Sequence, residues 1–567
     1  MKLSIKNSVP SAAQAERILL SRFHEACPDS LGNPETFFVS FEPREAAGYG
    51  LDVAECNIII SAGSVSEFIA GAGALLSHIR LSLVYGTGLQ EMHIEDVPEF
   101  SVRTHYLPAH FGNSFDAAWP NEMKRYLEDA VLSGANGYGD WFDPNDMPDP
   151  YSPHVYCSKS MSLWEKKKEN LRTARMLGMD TMLVVTHNVA FTDQLRPEWL
   201  GKRSHRLRVQ GQVLCPSNPQ ARSVCLKNHD NLFKDLLASG VSLDRIALCP
   251  YDDGGCACEK CQPYYPVFLS MAVEILGIAQ KYFPAIRLDI IGWWTTEEEM
   301  GLLRNFIRLI GNDVFGHFQF NPPYSRSHDI PGNIREFIGD IPLSTFVHIG
   351  YSDTREDVYN KYGVHSAPNR LKSLISTFRN VDCSGLNTYN EGFGDHLNMH
   401  LSSRLARNPD SSVRELIIDY CAAMFGCLKE PIESIASILE EMQYSDFSKA
   451  GEWYGKLARL KPFVKTPPRQ SWAFDHILLK ARLMELDYLI GNGNDWKTPT
   501  DFNSVSNLIE ERLELSEILW RDVYGLGVLS HAFIPGRMYP EWYGRYALIM
   551  EKEKGLIVPG SAVSKDV

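Results

Sequence analysis

The sequence predicts an α/β protein built around a (β/α)8 barrel. Three observations lead there: eight short apolar segments between residues 101 and 389, helix-like stretches separating them, and polar or aromatic residues closing every segment. The candidate strands cover 101–111, 135–142, 180–187, 245–251, 286–293, 313–320, 345–351 and 384–389. Helices are expected at 122–133, 163–177, 267–282, 298–310 and 369–378. Eight such units within 101–394 match a barrel, for which roughly 250 residues is typical. The stretch 189–243 is too long for an ordinary connection and is expected to form a flap or subdomain over the active face.

The flanking regions read differently. Within 1–98, the apolar run Cys56-Asn-Ile-Ile-Ile-Ser61 precedes an Ala- and Gly-rich helical stretch at 65–83, which predicts a small α/β domain. Glu95-Asp-Val-Pro98 reads as a linker into a barrel domain spanning 99–398. Residues 399–567 lose the alternation and show helical periodicity at 412–425, 431–442 and 505–523, so a C-terminal helical domain is expected. Its aromatic residues, among them Trp453, Trp472, Trp520 and Trp542, make it a candidate homodimer face.

Composition narrows the partners. The chain has 567 residues, a formal net charge of −14 and an 11% aromatic share, with no basic run beyond Lys166-Lys167-Lys168. Phosphate contacts need a basic face, so nucleic acid is disfavoured, whereas a neutral carbohydrate stacking on aromatic rings suits this composition. The N-terminus carries no apolar signal segment and no stretch is read as a membrane span, so a cytoplasmic protein without a membrane partner is expected.

In a barrel, catalytic groups lie where the strands end. Those positions hold His110, Asp140-Trp141, His187-Asn188, Asp252-Asp253, Trp293-Trp294, Gln319 with Asn321, Tyr351, and Tyr389-Asn390-Glu391. Carboxylates, amides and indoles with no phosphate-type glycine loop suit glycoside hydrolysis, which needs an acid for the leaving oxygen and a second group opposite it. Asp253 is the candidate acid, because the neighbouring Asp252 raises its pKa. The second group is either Asp252, orienting a substrate acetamido group that acts as nucleophile, or Glu391. His110, Asp140, Trp141, His187, Asn188, Trp293, Trp294, Asn321, Tyr351 and Tyr389 are candidate substrate contacts. Of two adjacent strand residues only one faces inward, so one of Trp293 and Trp294 is expected in the core.

The order of parts resembles the exo-acting glycosidases around the β-N-acetylhexosaminidases and α-glucuronidases. Asp252-Asp253 resembles the acidic pair of the hexosaminidase and O-GlcNAcase groups, in which the first residue polarises the acetamido nitrogen and the second is the general acid. The stretch Asn387-Thr-Tyr-Asn-Glu-Gly392, with Ser403-Arg-Leu-Ala-Arg-Asn-Pro-Asp410 and Ile418-Asp-Tyr-Cys-Ala-Ala-Met-Phe-Gly426, is more similar to the α-glucuronidases. It is also similar to relatives carrying a Cys-x-Cys-x-x-Cys after the fourth strand. Asp253 is followed by Gly-Gly-Cys, a departure from the usual hexosaminidase continuation. The resemblance implies removal of a terminal N-acetylhexosamine, hexose or uronic acid from an oligosaccharide, with no catalytic metal.

Cys249, Cys256, Cys258 and Cys261 have ligand-like spacing for a structural zinc; free buried thiols or one disulfide are the alternatives. Two other readings of the whole chain stay open: a metal-dependent hydrolase using Cys, His and Asp groups, and a catalytically inactive carbohydrate-binding barrel.

Overall fold

The computed structural model describes residues 1–518 except 28–34, 110–113, 143, 145–146, 155–157, 204–212, 252–254, 294, 323–331, 351–363, 391, 445, 468–469, 471 and 494–501. The chain begins with a five-stranded sheet: β1 (Lys2–Lys6), β2 (Thr36–Pro43), β3 (Tyr49–Ala54), β4 (Asn57–Ala62) and β5 (Met92–Asp96), in the order β1-β2-β4-β3-β5. β1, β2 and β4 run parallel, while β3 is antiparallel to both of its neighbours. Helices Ala13–Ala26 and Val65–Tyr85 pack together on this layer. Val65–Tyr85 is long and apolar enough to cross a membrane, contrary to the sequence reading; 72% of its apolar window is buried in the fold, as expected of a core helix. Ser64 caps it by accepting from Glu67 N, and Gly86 ends it at φ 65°.

The second sheet closes on itself. Its strands are β6 (Val102–Tyr106), β7 (Gly137–Phe142), β8 (Asp180–Val185), β9 (Arg245–Leu248), β10 (Arg287–Ile291), β11 (Phe315–Phe320), the pair β12 (Leu343–Thr345) and β13 (Val347–His348), and β14 (Gly385–Tyr389). Every pairing in it is parallel, and β14 pairs with both β6 and β12, which completes an eight-position barrel. The seventh position is divided at Phe346: its N–H still bonds Phe320 O on the β11 side, while β13 beyond it pairs with β14. β6, β8, β9, β10 and β13 end two to five residues before their apolar runs do, whereas β7, β11 and β14 end where the runs end.

Parity within the strands decides what faces the lumen. Thr104, Arg245, Asp289, Gln319 and Asn387 form a buried polar layer low in the barrel. Arg245 bonds Asp289 at 2.9 Å and Thr104 at 2.9 Å, and Gln319 donates to Asp289 at 2.8 Å. Burial alone would raise the Asp289 pKa, but Arg245, His317 and Gln319 outweigh it and hold the carboxyl below its ordinary value. Glycines keep this layer narrow: a Cβ at Gly316 would lie 2.4 Å from Asp289 Oδ1, and one at Gly137 2.3 Å from Thr104 Oγ1.

The long connection after β8 differs from the sequence expectation. It contains helix Pro219–Ala238, capped by Asn218, whose side chain accepts from Gln220 N and Ala221 N. The insertion proper is therefore confined to 189–218, and Asn218-Pro219 is the start signal that marks its end. Helix His396–Arg407 packs on β6 and β14, and is followed by helices Val413–Phe425, Lys429–Met442, Ala450–Leu460, Trp472–Ile490 and Phe502–Ile518.

Candidate active site

Above the polar layer, the ends of the strands build an aromatic bowl. Tyr106, Trp141, Trp293, Phe346 and Tyr389 form a cluster separate from the main core, together with Met182, Val184, Ala247 and Ile291. His348 joins it, stacked on Trp293 at 5.2 Å between ring centroids and 4.3 Å from the Tyr389 ring. Tyr106 lies 5.4 Å from Tyr389 and 5.9 Å from Phe346. Trp141 Nε1 reaches Thr186 Oγ1 at 3.4 Å. Five barrel positions thus contribute rings to one surface at the C-terminal face, where barrel enzymes carry their chemistry.

Of the sequence candidates, Trp141, Trp293 and Tyr389 meet in this bowl. Asp140 and His187 point the other way, as alternation requires of residues beside inward-facing Trp141 and Thr186. Asp140 is fully buried, and its carboxylate accepts from Trp141 N at 2.7 Å, Tyr138 Oη at 2.8 Å, Lys167 Nζ at 3.1 Å and Ala109 N at 3.3 Å. With four protein donors it braces the ends of β6 and β7 instead of presenting oxygens to the lumen. His187 sits under helix Tyr264–Gln280, 2.5 Å from Tyr264 Oη and against the Phe268 ring, where burial pushes its pKa down to about 3. It is a neutral core histidine.

Asn188 and Asn321 are fasteners. Asn188 Nδ2 donates to Leu214 O and Gly255 O, and its Oδ1 accepts from Gly255 N, so one buried amide ties the insertion to the segment after β9. Asn321 Nδ2 donates to Phe346 O at 2.7 Å, holding the interruption in the seventh strand. His110, Asp252, Asp253, Trp294, Tyr351 and Glu391 lie outside the described residues. A cavity of about 580 Å³ opens beside the end of β9, lined by Tyr251, Gly255, Tyr264, Tyr265, Glu298 and others, and is large enough for a sugar.

The sequence reading missed Tyr106, Phe346 and His348. Their signal was present: Tyr106 and His348 lie inside strands that had been drawn too long toward their C-terminal ends.

The cysteines regroup. Cys249 points into the bowl, its Sγ donating to Tyr251 O at 3.4 Å. The cluster near Cys256, Cys258 and Cys261 takes its fourth member from the insertion, Cys215, and the four sulfurs lie within 4.8 Å of one another. Cys249 directly follows β9 and continues the inward parity of Arg245 and Ala247, which is why the expected set fails. Burial pushes the Cys256 thiol up to about 11. At Cys258 burial also raises, but hydrogen bonds from Cys261, Cys256 and Cys215 win, and the thiol falls below its ordinary value.

No protein-family model matches the chain, and no curated protein sequence matches it. Solved structures do. A family 89 glycoside hydrolase from Clostridium perfringens, in complex with 2-acetamido-1,2-dideoxynojirmycin, aligns with TM-score 0.56 at 13% identity, over 92% of this chain and 69% of that one. The same family's Clostridium perfringens enzyme in complex with its substrate GlcNAc-alpha-1,4-galactose gives 0.53 at 12% identity, over 91% and 68%. A GH138 enzyme targeting pectin rhamnogalacturonan II gives 0.53 at 9% identity, over 98% and 80%. The likeness is one of fold: this chain has the (β/α)8 architecture of those glycoside hydrolases.

Proposed function

We propose that this protein is an exo-acting glycoside hydrolase that removes a terminal N-acetylhexosamine, or a related hexose or uronic acid, by carboxylate acid–base catalysis. The observation that carries the reading is the aromatic bowl at the C-terminal mouth of the barrel, formed by Tyr106, Trp141, Trp293, Phe346, His348 and Tyr389. Sugar rings have apolar faces that stack on such walls, and the fold is shared with enzymes that act on GlcNAc-alpha-1,4-galactose and on rhamnogalacturonan II.

Asp253 is the general acid in this reading, in the chain segment directly after β9. Its neighbour Asp252 keeps it protonated at the start of the cycle. Protonation of the glycosidic oxygen by Asp253 lets the bond to the anomeric carbon break, as Asp252 through the substrate acetamido group, or Glu391 directly, supports the developing positive charge. Asn188 closes on Gly255, two residues beyond Asp253 in the chain.

The test is a hydrolysis screen against chromogenic N-acetylhexosaminides, uronides and neutral hexosides of both anomers, with Asp253→Asn in parallel. Cleavage of one class, reduced about 10²–10⁴-fold in the variant, is the expected result. Undiminished cleavage by the variant would remove Asp253 as the acid. Sugar binding without turnover on any substrate would favour an inactive carbohydrate-binding barrel.

A further inference from the structure

We propose that Cys215, Cys256, Cys258 and Cys261 bind a structural zinc ion that clamps the insertion after β8 to the segment following β9. The sulfurs already have the required spacing. Cys215 Sγ lies 3.7 Å from Cys258 Sγ and 3.8 Å from Cys261 Sγ, and all four lie within 4.8 Å of one another. A tetrahedral site with zinc–sulfur bonds of about 2.3 Å has sulfur–sulfur edges of about 3.8 Å. A disulfide would need about 2.05 Å, and all four cysteines are free.

The chain delivers the donors as such sites require. Cys256-Ala-Cys258-Glu-Lys-Cys261 offers three sulfurs from one short segment that ends in the 3-10 turn Glu259–Cys261, and Cys215 comes from 43 residues before Cys258. Groups able to donate surround the sulfurs, as a thiolate-bound metal needs. Lys202 N donates to Cys256 Sγ at 3.4 Å, and Ser217 Oγ lies 3.0 Å from Cys261 Sγ.

The backbone around them is zipped independently of the sulfurs. Ala257 N bonds Lys202 O at 2.8 Å, Cys215 N bonds Trp199 O at 2.7 Å, and Gly201 N bonds Val213 O at 2.8 Å. Asn188 adds its bridge between Leu214 and Gly255. The ion therefore enters a preformed cage. Four protein ligands leave no open coordination position, so its role is structural and not catalytic. Borderline-soft zinc suits an all-thiolate tetrahedron. The inference stands on geometry alone and does not depend on the proposed glycosidase activity.

The test is metal content of the full chain purified with zinc in all buffers and then passed through a chelating column. Wild type is expected to retain about one zinc per chain, Cys249→Ser the same, and Cys215→Ser little. Because Cys215→Ser can fail to fold, wild type is also exchanged with cobalt(II). Sulfur-to-cobalt charge-transfer bands and the intense visible bands of a tetrahedral tetrathiolate site are expected. Wild type without zinc and without those bands would overturn the proposal. So would full zinc retention by a folded Cys215→Ser, iron in place of zinc, or a disulfide among the four cysteines found by peptide mapping.

Discussion

At the scale of single residues, the mouth of the barrel is governed by parity. Asp140-Trp141 and Thr186-His187 were legible in the sequence as strand-end pairs. Which member faces the lumen depends on the phase of the strand, and chemistry-bearing residue types do not reveal that phase. Trp141 turned inward, so Asp140 met Lys167 and became a brace. The outward-facing histidines at the strands, and two on the surrounding helices, became part of the packing. His105, bonded to Ser403 at 2.7 Å and Thr388 at 2.6 Å, is pushed by burial down to about 3, as is His187; His229 and His400 are pushed down to about 4. Each titrates near 6.5 in an unfolded chain, so unfolding takes up protons below that pH. Their stabilisation is complete above about pH 6.5 and declines toward pH 3–4, by up to about 1.4 kcal/mol per histidine per pH unit. Urea midpoints at pH 7 and pH 5 check this: the midpoint falls at pH 5, and His105→Gln makes the fall shallower. A midpoint unchanged between the two values would contradict it.

At the scale of elements, periodicity located most of the barrel helices within a few residues but could not anticipate where two elements touch. Helix Val65–Tyr85 approaches helix Pro120–Leu132 through Gly73, where an added Cβ would stand 2.1 Å from Leu132 O. Backbone cannot yield as a side-chain tip does. Gly73→Ala is expected to destabilise by about 1–3 kcal/mol despite the better helix propensity of alanine, measured by denaturant unfolding. A neutral or stabilising result would mean that the two helices separate readily. The helix Pro219–Ala238 was missed because the insertion before it and the polar residues within it masked the period, although Asn218-Pro219 announced its start. Cys215 was illegible for a different reason: nothing local says that a cysteine in one connection will meet three in the next.

At the scale of the molecule, the N-terminal sheet, barrel and following helices meet on buried charges at the opposite end from the aromatic bowl. Arg407 bonds Asp96 at 2.5 Å and 2.8 Å and Glu67 at 2.8 Å, while Arg103 bonds Glu67 at 2.7 Å. Burial alone would lower the Arg407 pKa, but Glu67 and Asp96 prevail and keep the guanidinium charged. Arg22 adds Glu128 at 3.1 Å and Asp129 at 3.0 Å across the same junction. Arg407→Met strips Asp96 of its guanidinium and leaves Glu67 with Arg103 alone, so a loss of about 3–5 kcal/mol is expected in unfolding measurements, with turnover per folded molecule retained. Loss of turnover at full stability would place Arg407 in the working site instead. None of these cross-domain pairs is adjacent in sequence, so no reading of local pattern could have found them.

The polar layer of Arg245, Asp289, Gln319 and Thr104 has a kinetic meaning as well as a packing one. It fills the lower lumen with paired side chains, and the neighbouring Gly137 and Gly316 have no room for a Cβ beside Thr104 and Asp289. For an enzyme working in that bowl, entrance and exit are the same opening. Under the proposed exo-glycosidase activity, a released monosaccharide would have to vacate it before the next chain end arrives, competing with substrate until it does. On the proposed exo-acting reading, the liberated sugar is therefore expected to inhibit competitively.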